Sequence, residues 1–267
     1  MKTRLLFLGD IVGKAGRRAV LNRMAGLRLE LGAHFVLANA ENTSGGLGLT
    51  PKNACELLNA GIDLLTSGNH IWKHREIEPF LDKNKNRVLR PANYPGTPPG
   101  TGLARINDPG GQDLYVLNLM GRTYMEPVDC PFREADRALE SVPESSPVVV
   151  DFHAEATSEK MAMAHYLLGR VTAVIGTHTH VLTNDARVLG KKTGCLTDAG
   201  MCGALDSVLG VNPREVLHRF LTARPARFKP ASGPAQLNGA VVDFDARNGL
   251  CLSISAWKEN ELEDEDD

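Results

Sequence analysis

The sequence contains no long hydrophobic run, and its positive and negative charges nearly balance. The apolar stretch near the amino terminus, residues 5–8, is ended by Gly9-Asp10 and is too short for a signal-peptide core or a membrane span. A formal net charge of −2 over 267 residues provides no general attraction to nucleic acids or to membranes. We therefore expect a cytoplasmic protein with no membrane partner and no stable nucleic-acid binding.

The sequence also lacks a cysteine pattern typical of disulfides or of a thiolate zinc site. Its 5 cysteines are odd in number and scattered, without a Cys-x-x-Cys pair, which favours reduced thiols. The remaining composition, with 42% hydrophobic and 23% charged residues, is that of a soluble globular protein. A chain of this length can form one large domain or two small ones.

Short apolar runs and amphipathic segments alternate through the first part of the chain. Residues 4–9, 35–38 and 62–66 are apolar without alternation, as expected of strands that are buried on both faces of a sheet. Helical spacing covers residues 17–31, and Thr50-Pro51 is typical of an N-cap followed by the first residue of a helix. This order predicts βαβ units with parallel strands.

The rest of the chain continues this mixture of strands and helices. The region 90–111 is rich in proline and glycine and predicts loops, and Arg247-Asn248-Gly249 predicts the turn of a final hairpin with strands 236–245 and 250–257. Thr157 is expected to cap a helix, while Glu155 and Lys160 either support the site residues or lie on a solvated face. The other predicted elements are strands 114–119, 147–152 and 171–175, a helix 157–168, a hairpin 188–197 and a helix 212–221.

Polar residues that can bind a metal follow several of the predicted strands. Because the carboxyl ends of parallel strands lie along one edge of a sheet, these residues are expected to meet there. Gly176 and Thr177 precede a His-x-His pair, and a continued extended backbone would direct His178 and His180 to the same side. The candidates are Asp10, Glu41, Asn42, Asn69, His153, His178 and His180, with His70 beside them.

Each candidate has an ordinary explanation when it is taken alone. Asp10, Asn42 and Asn69 are common types of cap or turn residue, and His153 is compatible with a hydrogen-bonded core histidine. Their joint occurrence at strand ends favours a metal centre. Oxygen and imidazole donors without thiolate suit iron, manganese or zinc. Seven donors exceed the needs of one tetrahedral ion, which favours two ions that share a bridging carboxylate.

The same residues lie in motifs that resemble those of the calcineurin-like metallophosphoesterases. These motifs are Gly9-Asp10, Glu41-Asn42, Gly68-Asn69-His70, His153 and Gly176-Thr177-His178-Thr179-His180. Within that superfamily, Gly9-Asp10-Ile11-Val12-Gly13, Ala40-Glu41-Asn42, residues 151–160 and Thr197-Asp198-Ala199-Gly200-Met201 are similar to the bacterial YmdB-like branch. The resemblance covers residues 3–257 and implies a four-layer α/β/β/α sandwich in a single domain over residues 1–257. We expect residues 258–267 to form a disordered acidic tail.

The resemblance also implies a metal site and a function. Asp10, Glu41, Asn42 and His180 would hold one ion, and Glu41, Asn69, His153 and His178 would hold the other. The implied cofactors are two divalent or mixed-valence metal ions, with iron expected first and manganese or zinc as alternatives. The implied reaction is the hydrolysis of phosphodiesters, in particular 2′,3′-cyclic nucleotides of the cyclic AMP type. A metal-bridging hydroxide would attack, and His70 would act as general acid.

The chain departs from the wider superfamily at two positions. Ile11-Val12 stand where an Asp-x-His motif has its histidine, so Asn42 is the implied substitute ligand. Ile71 follows His70 where an acidic residue is usual, so the group that orients His70 must come from elsewhere. Both departures match the YmdB-like pattern.

Two other functions stay open at this point. One is a broad phosphomonoesterase or nucleotidase on the same metals, which a pocket with room for a dianion and a nearby Arg or Lys would favour. The other is a regulatory binding protein that keeps the fold and the metals but acts through a partner. The expected partner is a small phosphodiester, and a homo-oligomer is left open.

Overall fold

Two β-sheets lie face to face in the computed structural model, which describes residues 2–261. In the first half of the chain the elements are β1 (Lys2–Leu8), β2 (Asp10–Ile11), α1 (Gly13–Glu30), β3 (Phe35–Asn39), α2 (Pro51–Asn59), β4 (Leu64–Thr66), a 3₁₀ turn (Ile71–Lys73), α3 (Ile77–Lys83), β5 (Leu103–Asn107) and β6 (Asp113–Met120). In the second half they are α4 (Pro131–Leu139), β7 (Val148–His153), α5 (Thr157–Tyr166), β8 (Ala173–Thr177), β9 (Arg187–Leu189), β10 (Thr193–Leu196), β11 (Met201–Ala204), α6 (Pro213–Thr222), β12 (Ala235–Asp245) and β13 (Cys251–Asn260).

The two sheets each contain a group of parallel strands. The first sheet has the order β2-β11-β12-β1-β3-β4, with β13 paired to β12, and its strands β1, β3 and β4 are parallel. The second sheet has the order β5-β6-β7-β8-β10-β9, and its four central strands are parallel. Glu41, which follows β3, contacts His153 at the end of β7, so the carboxyl ends of both parallel groups meet at one edge.

Three apolar clusters fill the spaces between the layers. Successive side chains of β1 alternate, so that Leu5 and Phe7 pack between the two sheets whereas Leu6 and Leu8 pack against α1. The third cluster, which includes Phe152, lies between the outer face of the second sheet and the helices α4 and α5. The layers therefore follow the order α/β/β/α, and the predicted four-layer sandwich is confirmed.

The predicted cap of α2 is confirmed, and α6 begins with a cap that was not predicted. The Thr50 side chain accepts a hydrogen bond from the Asn53 N–H at 3.3 Å, and Pro51 is the first residue of α2. Asn212 caps α6 in the same way, by accepting from the Arg214 N–H at 3.0 Å. No helix within residues 2–261 combines the length and the apolar content that crossing a membrane requires.

Other predicted boundaries are wrong, for identifiable reasons. The region 90–111 contains β5, an edge strand whose alternating burial is hidden by the proline- and glycine-rich flanks. Thr157 does not cap α5, because the N-cap position is held by Ala156 and no side chain bonds the first turn there. The helices α3 and α4 lie in segments that the sequence pattern left unassigned.

The carboxyl-terminal strand also extends further than predicted. β13 runs to Asn260, three residues beyond the predicted domain boundary at 257. Glu259 joins this strand to α1 through an ion pair with Arg23, at 2.5 Å between Oε1 and Nε. Glu259, which the prediction placed in the acidic tail, therefore belongs to the folded domain. Residues 262–267 of the predicted tail lie outside the described residues.

Candidate metal centre

All eight residues singled out in the sequence come together at the edge where the parallel strands end. Asp10 opens β2, Glu41 and Asn42 follow β3, Asn69 and His70 follow β4, His153 ends β7, and His178 and His180 follow β8. Asp10 and His153 are fully buried, and Glu41 is 1% exposed. The donors therefore lie in a largely dry environment, where a bound cation would be strongly attracted to carboxylates.

The hydrogen bonds of the three inner histidines fix the orientation of their rings. His153 Nδ1 lies 2.9 Å from Thr177 Oγ1, and His180 Nδ1 lies 2.9 Å from the Leu209 carbonyl oxygen. His178 Nε2 lies 3.2 Å from a carboxylate oxygen of Glu155. Each ring can thus donate outwards to an oxygen, which leaves the lone pair of its other nitrogen directed inwards. This is the arrangement that metal-binding histidines use.

The buried carboxylate of Asp151 supports the orientation of His153 through the Thr177 hydroxyl. The Thr177 hydroxyl donates to Asp151 Oδ1 at 2.7 Å, so its oxygen is free to accept from His153 Nδ1–H. Asp151 also accepts from Asn39 Nδ2 at 3.0 Å and from the Thr66 hydroxyl. Burial raises the pKa of Asp151 to about 6, although the charge of His153 and the hydrogen bonds from Thr66 and Thr177 oppose the shift.

One group of donors surrounds the inward nitrogen of His153. His153 Nε2 lies 3.0 Å from His178 Nδ1, 3.2 Å from Asn69 Oδ1 and 3.2 Å from Glu41 Oε1. When both rings donate outwards, all four of these atoms are hydrogen-bond acceptors. No donor hydrogen then lies between them, so they cannot form hydrogen bonds with one another. One ligand atom each from Glu41, His153 and His178 lies within 4.8 Å of the others. A cation would satisfy all of them at once.

A second group shares Glu41 with the first. His180 Nε2 lies 3.9 Å from Asp10 Oδ1 and 3.2 Å from the side-chain nitrogen of Asn42, which donates to Glu41 Oε1 at 3.1 Å. Asp10 Oδ2 accepts from the His178 N–H at 3.0 Å, but among the described residues Oδ1 is buried without a hydrogen-bond partner. Buried polar atoms rarely lack partners, and an unpaired carboxylate oxygen beside an imidazole lone pair fits a metal ligand.

The pKa values of the buried groups indicate that the centre favours a positive charge. Burial lowers the pKa of His153, but the nearby charges of Glu41 and Asp10 outweigh burial and raise it to about 9. Burial and repulsion from His153 lower the pKa of His178 to about 3, so that ring is neutral at neutral pH. Burial opposes ionisation of Glu41, yet His153 and His70 hold its pKa well below the ordinary value. A metal cation can supply the positive charge that a proton on His153 would otherwise provide.

His178 and His180 reach the centre by an unexpected backbone path. β8 ends at Thr177, and the φ angles of His178 and His180 are 100° and 65°, in the left-handed region that non-glycine residues rarely adopt. The prediction that continued extended backbone would align the two rings is therefore wrong. The rings converge because a strained turn folds back over the strand end.

A buried ion pair holds this turn in place. Asp198 Oδ2 accepts from both the backbone N–H of Thr179 at 3.1 Å and its hydroxyl at 2.7 Å. Lys160 Nζ lies 2.6 Å from the same carboxylate oxygen, and both charged side chains are at most 3% exposed. Because Thr179 stands between the two histidines, the pair positions the whole turn.

His70 is oriented by Asn42, a residue that the sequence predicts as a metal ligand. His70 Nδ1 lies 2.7 Å from Asn42 Oδ1, and the His70 backbone N–H donates to Glu41 Oε2 at 3.0 Å. The missing acidic residue after His70 is thus replaced by the Asn42 amide oxygen. In the same orientation, the amide nitrogen of Asn42 faces Glu41 and His180.

Comparison of the sequence with models of known families shows which family this chain belongs to. A family model described as YmdB-like protein matches residues 6–256, nearly the whole chain. The chain belongs to the YmdB-like family. The resemblance indicated by the sequence motifs is confirmed.

Similar proteins extend this assignment over the full fold. The 2′,3′-cyclic-nucleotide 2′-phosphodiesterase of Bacillus subtilis (strain 168) is 44% identical over 252 residues, which are 94% of this YmdB-like chain and 95% of that protein. A crystal structure of a novel phosphatase from Mycoplasma pneumoniae has a TM-score of 0.90 at 32% identity, and the match covers 97% of this chain and 94% of that chain. A calcineurin-like phosphoesterase from Bacillus subtilis has a TM-score of 0.58 over 97% of this chain and 90% of that chain. At 10% identity, this last likeness shows the fold alone.

In this YmdB-like chain the candidate centre opens into a cavity of about 460 Å³. Its volume lies within the roughly 300–1,000 Å³ of small-molecule sites. The polar wall contains Glu41, Asn42, His70, His178 and His180, so both donor groups and His70 are accessible from the same space.

Several supporting residues were not identified from the sequence, or were left without a role. Asp198 and Lys160 occur in quoted motifs, but neither their pairing nor its contact with Thr179 is visible in a local pattern. Thr177 and Asp151 flank predicted ligands, and only their mutual hydrogen bond reveals their role. The sequence did contain one signal for the two aspartates among them, namely a charged residue within or directly after an apolar strand. Such a residue is expected to be buried, and buried charges usually have a partner.

Proposed function

We propose that the protein is a metal-dependent phosphodiesterase that hydrolyses 2′,3′-cyclic nucleotides at this centre. The observation that carries the proposal is the set of inward lone pairs of His153, His178 and His180 around buried carboxylates, one oxygen of which has no hydrogen-bond partner within residues 2–261. The activity named for the 44% identical Bacillus subtilis relative supports the same substrate class.

The two donor groups support the assignment of two ions. Asp10, Glu41, Asn42 and His180 would hold one, and Glu41, Asn69, His153 and His178 would hold the other, with Glu41 shared. We propose iron as the bound metal, with manganese or zinc as alternatives, because oxygen and imidazole donors suit these ions. When bound, such ions activate water for attack on phosphorus and balance the charge that develops on the phosphate oxygens.

His70 is proposed as the general acid. Its Nδ1–H is held by Asn42, so Nε2 is the nitrogen available to the cavity that the ring lines. In the protonated ring, Nε2–H donates its proton to the ribose oxygen as the bond from that oxygen to phosphorus breaks. This donation leaves a neutral imidazole, and a proton taken up from solvent restores the protonated ring for the next turnover.

Metal content and substrate preference together test the proposal. We expect about two ions per chain by elemental analysis, with turnover of 2′,3′-cyclic AMP and of an aryl phosphodiester that exceeds turnover of the matching aryl monoester. Protein that stays metal-free and inactive after iron or manganese is supplied would contradict the enzyme assignment. It would leave the alternative of a regulatory binding protein that retains the fold.

The substitution His70→Ala tests the role of the general acid. We expect the variant to keep its metal content while kcat falls roughly 10²- to 10⁴-fold, the usual contribution of proton transfer by a positioned side chain. His165→Ala, which removes an exposed histidine of α5, is the matched control and is expected to leave kcat unchanged. A His70→Ala enzyme with normal kcat would remove His70 from the mechanism.

A phosphomonoesterase is the second candidate, because Lys229 contributes to the cavity wall. A basic side chain there could balance the extra charge of a monoester dianion. Faster turnover of the aryl monoester than of the diester would favour this alternative. The cytoplasmic location, the absence of stable nucleic-acid binding and the oligomeric state stay predictions from the sequence.

A further inference from the structure

The cavity beside the candidate metal centre has two chemically different walls. Four of the donor residues, Glu41, Asn42, His178 and His180, form the polar wall together with His70. A second set of lining residues, called here the apolar wall, consists of Val12, Leu47, Leu209, Val211, Phe228 and Pro230. A phosphate group needs only the polar wall, so the apolar wall requires a separate explanation.

Four of the six residues of the apolar wall lie in two segments, 209–211 and 228–230, that are tied together. The Asn212 N–H donates to the Lys229 carbonyl oxygen at 2.9 Å, and the Ala231 N–H donates to the Gly210 carbonyl oxygen at 2.8 Å. A β-bridge also joins Val211 to Pro230. These backbone contacts place Phe228 next to the loop that carries Leu209.

The same wall is connected directly to the metal centre. The Leu209 carbonyl oxygen accepts from His180 Nδ1 at 2.9 Å, so the loop and the ligand histidine share one hydrogen bond. Leu209 has a φ of 54°, in the left-handed region, yet it is not a glycine and its side chain is 47% exposed. Strained residues persist where surrounding structure holds them and cluster at ligand sites.

Close packing on glycines holds the position of Pro230 at the base of this wall. A Cβ at Gly46 would lie 2.8 Å from Pro230 Cγ, and a Cβ at Gly13 would lie 2.9 Å from Pro230 Cβ. Both glycines also have positive φ angles, of 87° and 62°. The wall is therefore a preformed surface rather than a loose loop.

Phe228 is the aromatic member of this surface. It is 41% exposed and lines the cavity, and the Arg219 guanidinium carbon lies 5.3 Å from its ring centroid. An exposed aromatic ring beside a phosphate site offers a planar apolar face to a planar ligand group.

We propose that the apolar wall is a nucleobase subsite in which Phe228 stacks on the base of the substrate. This inference rests on the proposed function, because it uses the phosphate site to fix one end of the nucleotide. A cyclic nucleotide has a charged phosphate at one end and a planar, weakly polar base at the other, which matches the two walls of the cavity. Leu47 and Leu209 complete the apolar contact around the base.

Comparing two cyclic diesters tests the subsite. 2′,3′-Cyclic AMP carries a base, whereas glycerol 1,2-cyclic phosphate has the same five-membered cyclic diester without a base. For Phe228→Ala we expect KM for 2′,3′-cyclic AMP to rise about tenfold, with kcat/KM for glycerol 1,2-cyclic phosphate unchanged. Phe228→Trp is expected to restore the KM for the nucleotide, because it restores an aromatic face.

Phe220 provides the matched control. It is an 81% exposed phenylalanine of α6 that does not line the cavity. Phe220→Ala is therefore expected to leave KM and kcat/KM unchanged for both substrates. An equal loss on both substrates in Phe228→Ala would assign the residue a structural role and overturn the proposal. An unchanged KM for 2′,3′-cyclic AMP in that variant would overturn it as well.

A binding measurement separates this proposal from the proposed function. Calorimetric titration of adenosine 3′-monophosphate into the protein requires no turnover. We expect weaker binding to Phe228→Ala than to the parent and to Phe220→Ala, even if neither diester is hydrolysed. Equal affinity of all three proteins would overturn the subsite independently of any catalytic result.

Discussion

Gly68 keeps the two donor groups at their observed spacing, and its replacement by alanine tests that requirement. A Cβ at this position would overlap the imidazole of His153 and lie 2.5 Å from Glu41 Oε2. Both neighbours are buried, His153 completely, so neither side chain can move into solvent. The backbone of Gly68 has no unusual φ angle, so the effect of Gly68→Ala is steric.

The required movement follows from ordinary contact distances. Nonbonded heavy atoms stay about 3.5 Å apart, so the His153 ring and the Glu41 carboxylate must each shift by about 1 Å. Metal–ligand distances tolerate only about ±0.2 Å. We therefore expect Gly68→Ala to weaken metal binding by at least about 100-fold, while overpacking lowers the free energy of unfolding by only about 1–3 kcal/mol.

Elemental analysis after dialysis, together with urea unfolding, measures both effects. The matched control is Gly26→Ala in α1, where a Cβ would meet only side-chain ends of Arg23 and Glu30. Because alanine favours helix over glycine, this control is expected to keep its metal and to lose no stability. A folded Gly68→Ala protein with the metal content and activity of the parent would refute the reasoning, since the donors would then tolerate a 1 Å displacement.

Two further predictions concern ion pairs that support the fold. Asp198→Asn leaves the Lys160 ammonium buried without a counter-charge and should lower the free energy of unfolding in urea by about 3–5 kcal/mol. The double variant Lys160→Met/Asp198→Asn should recover part of this loss, and an Asp198→Asn protein as stable as the parent would contradict the role of the pair. The hydrogen bond from Arg4, with that from Lys2, lowers the pKa of Asp243 to about 2. The stabilisation that ionised Asp243 gives to the folded protein is therefore complete above the unfolded pKa of about 4, and it is lost as the pH falls through about 2. Asp243→Asn should cost about 2 kcal/mol at pH 7, and the difference should shrink between pH 4 and pH 2; a difference that does not change with pH would contradict this account.

Much of the fold is visible in the sequence where burial leaves a simple pattern. The central strands β1, β3 and β7 are buried on both faces, so they appear as continuous apolar runs. The capping residue of α2 is equally visible, because capping is a local hydrogen bond. In contrast, the alternating burial of β5 is hidden by its proline- and glycine-rich flanks, and the two-residue strand β2 is too short to produce a period.

The candidate site could be predicted as a set of residues, but not as a geometry. Its members follow directly after apolar strands, and the parallel arrangement brings such positions to one edge. The convergence of His178 and His180 could not be derived in this way, because it depends on left-handed backbone at both residues. The orientation of His70 by Asn42 likewise joins residues that are 28 positions apart.

The sequence alone therefore determined the alternation of strands and helices in the parallel units, the residue types at the strand ends and the family that these residues indicate. Local patterns carry this information because burial, capping and turn formation act over a few residues. Only the tertiary structure decided the ring orientations, the Lys160–Asp198 pair beneath Thr179 and the contact between His180 and Leu209. These features depend on contacts between distant segments, where packing and dehydration set the geometry and no local pattern records the partner.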